Sequence, residues 1–98
     1  MNNITKVSQI TASDVWEFIN PAEVMTDEGN TINNLIGVAK AFIQIYTGRA
    51  DLDEFQDFVI VVLVLCQDMW DNRTFYVDKS ELNFVVKSIL DMHSVNLL

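Results

Sequence analysis

Nine consecutive apolar residues, Phe58-Val59-Ile60-Val61-Val62-Leu63-Val64-Leu65-Cys66, stand between Asp57 and Gln67-Asp68 in a chain of only 98 residues. A single domain of this length buries only about two-thirds of the surface that its unfolded chain exposes. So short a chain is expected to have too little interior to wrap such a segment on every side, which points to burial against other subunits. The run is about half of what spans a bilayer and is bracketed by carboxylates, so no membrane span is expected. Its β-branched middle, Val59 to Val64, would read locally as a buried strand. The flanks favour a helix, because Leu52 and Phe55 before it and Met69 and Trp70 after it continue an amphipathic pattern.

Caps and spacings place four helices. The first is expected from Thr11 to Ile19, with Thr11 as N-cap, Asp14 three residues on, Ile10 stapled to Val15, and Pro21 as a stop. The second is expected from Thr26 or Thr31 to Thr47, since Ile32, Leu35, Ile36, Ala39, Phe42, Ile43 and Tyr46 recur at spacings of three and four. Gly48 then supplies the left-handed residue beyond its end. The third is expected from Asp51, with Glu54 completing a capping pair, to Arg73. The fourth is expected from Asp78, with Glu81 at N3 and Val77 stapled to Leu82, along a stripe of Leu82, Val85, Val86, Ile89 and Leu90 to His93. Thr74-Phe75-Tyr76-Val77 forms a short aromatic connector. The expected fold is all-α, a small bundle of about four helices in one domain spanning residues 1–98.

Half of the residues are hydrophobic, and six Lys and Arg face fourteen Asp and Glu, for a net charge of −8. That balance opposes tight binding to phosphate backbones, which needs clustered cations, but suits a surface past which DNA slides without adhering. The lone cysteine, Cys66, excludes an intramolecular disulfide, reads as a buried structural thiol and fits a reducing compartment. Met1-Asn2-Asn3-Ile4-Thr5-Lys6 has no apolar core of signal-peptide length. One His and one Cys do not make a usual zinc site, and Asp51, Asp53, Glu54 and Asp57 lack the glycine and bidentate Glu of a calcium loop. His93, near a helix C-terminus, reads as a surface or capping group. No nucleophile and base cluster together, so neither catalysis nor a cofactor is expected.

Within the third helix Phe58, Val62 and Leu65 share one face, expected to be core, and Val61, Val64 and Asp68 another, expected to meet a second subunit. Trp70 reads as core or as an interface anchor. Arg49 and Arg73 each end a helix, where a cation complements the dipole or pairs with an acid of the same or an adjacent subunit. Gly37 costs roughly 1 kcal/mol against Ala in mid-helix, for which close approach of a helix or subunit would compensate.

With these segments placed, the chain resembles the tailed-phage head–tail connector family, the adaptor or head-completion proteins also described as putative DNA packaging proteins. The likeness begins at Ile10-Thr11-Ala12-Ser13-Asp14-Val15 and runs through Asn34-Leu35-Ile36-Gly37-Val38-Ala39-Lys40-Ala41-Phe42-Ile43 into Tyr46-Thr47-Gly48-Arg49. It continues with the apolar third helix ending in Trp70-Asp71-Asn72-Arg73 and a last helix bearing Phe84-Val85-Val86-Lys87-Ser88-Ile89-Leu90. Thr74 to Val77 is shorter than the stretch members often carry there, and Gly37 stands where many have a bulkier helix former. The resemblance implies a subunit assembling about twelve to a ring beneath the portal protein. DNA passes through that ring without sequence-specific binding, and a stopper or tail-completion protein docks below. It also implies location in the virion, and in the host cytoplasm during assembly.

In such a ring, Val61, Val64, Trp70, Arg49 and Arg73 are the candidate subunit interface, and Phe75 and Tyr76 the candidate contacts to a partner. Asp51, Asp53, Glu54 and Asp57 are candidates for a channel lining, or for a solvated outer rim. The acidic balance also fits a different class of protein, a small phage-encoded inhibitor that acts on a host protein.

Overall fold

The computed structural model describes residues 4–95. The reading of the first six residues falls partly on residues 1–3, outside the described ones. Four α-helices and no strand are found among the described residues: α1 (Ala12–Ile19), α2 (Gly29–Thr47), α3 (Phe58–Asn72) and α4 (Phe84–His93). Three single 3₁₀ turns, Val7–Gln9, Leu52–Glu54 and Lys79–Glu81, precede α1, α3 and α4. The expected all-α bundle is the fold.

Thr11 caps α1 as its sequence predicts. Its hydroxyl accepts from the Asp14 N–H at 3.3 Å while the Asp14 carboxylate accepts from the Thr11 N–H at 2.8 Å, so two N–H groups that the helix leaves free are satisfied reciprocally. The Trp16 indole N–H donates to the Glu23 carbonyl at 3.0 Å, tying the segment after Pro21 back to the helix. α2 starts between the two positions expected. The Glu28 carboxylate turns back to accept from the Thr26 N–H at 2.8 Å, and the helical ladder opens with the Ile32 N–H donating to the Glu28 carbonyl at 2.9 Å.

The end of α2 is the one expected. Gly48 has φ 74° and its N–H donates to the Gln44 carbonyl at 2.9 Å, the single bond of a left-handed C-terminal cap. Gly48→Val is expected to destabilise the fold by roughly 1–2 kcal/mol, since a β-branched residue is strained at positive φ. An unchanged thermal melt would remove this account of the turn.

The two later helix starts are corrected. α3 begins at Phe58 rather than Asp51, because the Asp51 carboxylate accepts from the Asp53 N–H at 3.0 Å and closes only a local turn. Glu54 is drawn to Arg49 at 3.1 Å instead of completing a capping pair, and Phe55 is extended at φ −127°. α4 begins at Phe84 rather than Asp78 for the same reason. Asp78 accepts from the Ser80 N–H at 3.0 Å, Leu82 is extended, and Asn83 caps the helix by accepting from the Val85 N–H at 2.8 Å. Arg73 closes α3 in the left-handed region at φ 56°, with its N–H and that of Thr74 donating to the Trp70 and Met69 carbonyls.

The packing of α3 overturns the expectation drawn from the apolar run. α3 lies at the centre, against α1, α2, α4 and the Val7–Gln9 turn. Phe58, Val59, Val61, Val62, Leu63, Leu65 and Cys66 are all buried, leaving Ile60 exposed and Val64 half-buried. Neighbours from before and after it in sequence enclose most of the segment, so the chain itself covers the run apart from Ile60 and part of Val64. Val61, expected at a subunit interface, is 0% exposed in the intramolecular core. Of the two approaches considered for Gly37, that of a helix of its own domain is not found: apart from its neighbours and the adjacent turns of α2, no atom of the described residues lies within 4 Å of where its Cβ would stand.

Candidate functional site

At the junction of α2, α3 and α4 one cation, Arg49, turns inward. Arg49, just past the Gly48 cap, pairs with Glu54 through Nη1 at 3.1 Å and donates from Nε to the His93 carbonyl at 2.5 Å. Its guanidinium carbon lies 4.8 Å from the centre of the Phe55 ring. His93 stacks on the same Phe55 at 3.8 Å, meets Phe58 edge-on at 5.3 Å and places Nε2 2.9 Å from Asp57 Oδ2. His93 is therefore a half-buried clamp between α3 and α4, not the surface or capping group its sequence position suggested. Asp57 Oδ1 is buried and accepts no hydrogen bond.

The four acids read as one candidate lining serve four different local roles. Asp51 caps its turn, and Asp53 accepts from the Ser8 N–H at 3.0 Å and its hydroxyl at 2.7 Å. Those Ser8 bonds hold the Asp53 carboxyl below its ordinary range. Glu54 serves Arg49, and Asp57 serves His93. Asp51 and Glu54 are exposed, while Asp53 and Asp57 are half-buried.

At the other end of α3, Trp70 is half-buried and meets Trp16 edge-on at 5.5 Å, and exposed Arg73 lies 5.1 Å from the Trp70 ring. Phe75 and Tyr76 are exposed on the connector. Leu65, Asp68, Met69, Tyr76, Asp78 and Glu81 help to line an open groove of about 530 Å³. Partial burial, and then the neighbouring Asp71, push the Asp68 carboxyl upward. Burial pushes the Cys66 thiol up to about 12, which leaves it protonated and unreactive at physiological pH. No group of three or more metal-ligating side chains occurs among the described residues, and no helix is long and apolar enough to cross a membrane.

The surface that sequence reasoning missed is on α4. Val86 and Leu90 are buried and Ile89 half-buried as expected, but Val85 is 59% exposed, Phe84 81% and Met92 66%. α4 thus has two apolar arcs, one inward and one outward, and the outward one was legible as apolar residues beyond the width of a single stripe. Beside it Lys87 pairs with Asp91 at 2.7 Å, and the Tyr46 hydroxyl donates to the same carboxylate. The Lys87 bond first, then that of Tyr46, holds the Asp91 carboxyl below its ordinary range. Comparison with protein-family models, curated proteins and solved structures gave no match to this chain.

Proposed function

We propose that the chain is a structural subunit of a tailed-phage head–tail connector, assembling as a ring beneath the portal for DNA to traverse and a stopper or tail-completion protein to engage. The observation that carries this reading is the pair of helix ends, Tyr46-Thr47-Gly48-Arg49 and Trp70-Asp71-Asn72-Arg73, on which the family resemblance rests. Both close on a left-handed residue, Gly48 in one and Arg73 in the other.

Two further features support it. An apolar arc of Phe84, Val85 and Met92 left in solvent suits a protein whose working state is an assembly. A net charge of −8 on each subunit gives a ring that repels the phosphate backbone passing through it. Of the acids considered for the lining, exposed Asp51 and Glu54 are the better placed to face DNA, since Asp53 and Asp57 are half-buried. The protein acts by binding and positioning rather than by catalysis, in the virion once assembled.

Mass spectrometry of purified virions tests the reading. The chain is expected in virions, at a copy number matching a ring at one vertex rather than a capsid lattice. Its absence from virions, together with recovery as a soluble monomer or dimer on a host enzyme, would overturn the proposal in favour of an acidic inhibitor.

A further inference from the structure

Two of the helix faces that lie outside the core, on α4 and α2, bear no net charge. On α4 the outward arc consists of Phe84, Val85, Ser88 and Met92, bordered by Lys87 and Asp91, which neutralise each other at 2.7 Å. On α2 the outward face is Asn34, Gly37, Ala41, Gln44 and Ile45, all exposed and spaced three and four apart. The only ionisable side chains in that 19-residue helix are Lys40, half-buried to one side, and Tyr46, which is also half-buried. In a chain of net charge −8, separate copies repel one another across most of their surfaces, and uncharged faces are where they can meet. A basic partner would instead be drawn to carboxylates, which both faces lack apart from the neutralised Asp91.

The two faces also match in shape. Phe84 and Met92 are bulky and flank the small Ser88, making a ridge with a notch. Gly37 and Ala41 make a shallow groove, and the space above Gly37 is open to at least 4 Å. A mid-helix glycine weakens α2, and the chain itself makes no contact there that offsets this. α4 turns Val86 and Leu90 toward its own core, so its ridge points away from its own α2 and can reach only the α2 of another copy.

We propose that α4 of one copy seats its Phe84–Ser88–Met92 ridge on the Asn34–Gly37–Ala41 groove of a second copy. The contact is head-to-tail between identical chains, so each end copy keeps one unused face, and the series closes into a ring where the rotation between copies allows it and otherwise runs on as a filament. This rests on the reading of the chain as a self-assembling subunit and assigns that assembly its two surfaces.

Gly37→Leu fills the groove, and Phe84→Glu charges the ridge. Each is made in the full chain and followed by sedimentation up to millimolar concentration beside a circular-dichroism melt. Wild type is expected to self-associate. Gly37→Leu should melt higher than wild type, because leucine is the better helix former and its Cβ would enter open space, yet associate at least tenfold more weakly. Phe84→Glu should melt as wild type does and associate as weakly. An equimolar mixture of the two variants should form one-to-one pairs and nothing larger, because one keeps the ridge and the other the groove. Ala41→Lys serves as a second groove variant should Gly37→Leu fail to fold. Assembly of both groove variants like wild type, a mixture that does not pair, or a wild type that stays monomeric to millimolar concentration would each overturn the proposal. Virion mass spectrometry is indifferent to which faces meet, so failure here is distinguishable from failure of the connector reading.

Discussion

Val61→Asp is expected to unfold the domain outright rather than yield a folded protein that fails to assemble. Val61 is 0% exposed, and its neighbours on α3, Phe58, Val62 and Leu65, are buried with it. A carboxylate there would lie within the hydrophobic core, and an uncompensated buried charge costs about 3–5 kcal/mol, much of the 5–15 kcal/mol that holds a small domain together. The spacing along α3 predicts a subunit interface at this position, where the same change would spare the fold. Circular dichroism separates the two outcomes: a native far-ultraviolet spectrum and a cooperative melt would return Val61 to a surface.

Phe58→Ala is expected to cost about 3–5 kcal/mol, within the range for a large aromatic removed from a closed core. Its ring is fully buried and meets Phe55 at 5.7 Å and His93 at 5.3 Å, both edge-on. Removing it opens a cavity under the clamp that joins α3 to α4, so α4 should lose amide-exchange protection before α1 does. Phe84→Ala, which removes an equally large ring from solvent, should change the chemical-denaturation midpoint little. Equal losses at the two positions would show that the assignment of inward and outward phenylalanines is wrong.

What the sequence revealed well was local. Thr11 with Asp14, the three- and four-residue spacing of Ile32, Leu35, Ile36 and Ala39, and the glycine at position 48 each act within one helix, and each stands where it was expected. The two starts misplaced at Asp51 and Asp78 share one cause. An aspartate followed three residues later by a glutamate can open a helix or close a single turn, and the choice rests on the next residues, Phe55 and Leu82, which are extended. Asn83, the cap that does start α4, was visible as a residue type but was outcompeted by the stronger-looking pattern upstream.

The non-local features were not legible. Whether α3 is wrapped depends on where α1, α4 and the Val7–Gln9 turn return in space, and no periodicity within α3 encodes that. The His93–Asp57 contact joins residues 36 apart and depends on the angle at which α4 docks. The outward arc of α4 could have been noticed, because Phe84, Val85 and Met92 do not fit on the arc that holds Val86 and Leu90.

The clamp around His93 bears on how the protein is made. Arg49, Phe55, Asp57 and Phe58 all converge on His93 of α4, and the Val95 N–H donates to the Thr47 carbonyl at 2.7 Å. While α4 is still inside the ribosome, the junction of α2 and α3 stays unsealed and the valine-rich segment behind it is open on one side. Chains whose last helix has not yet docked are therefore expected to associate through a surface that the finished protein conceals. Yield from a heterologous host should track how readily a chaperone shields that open form, more than the stability of the completed fold.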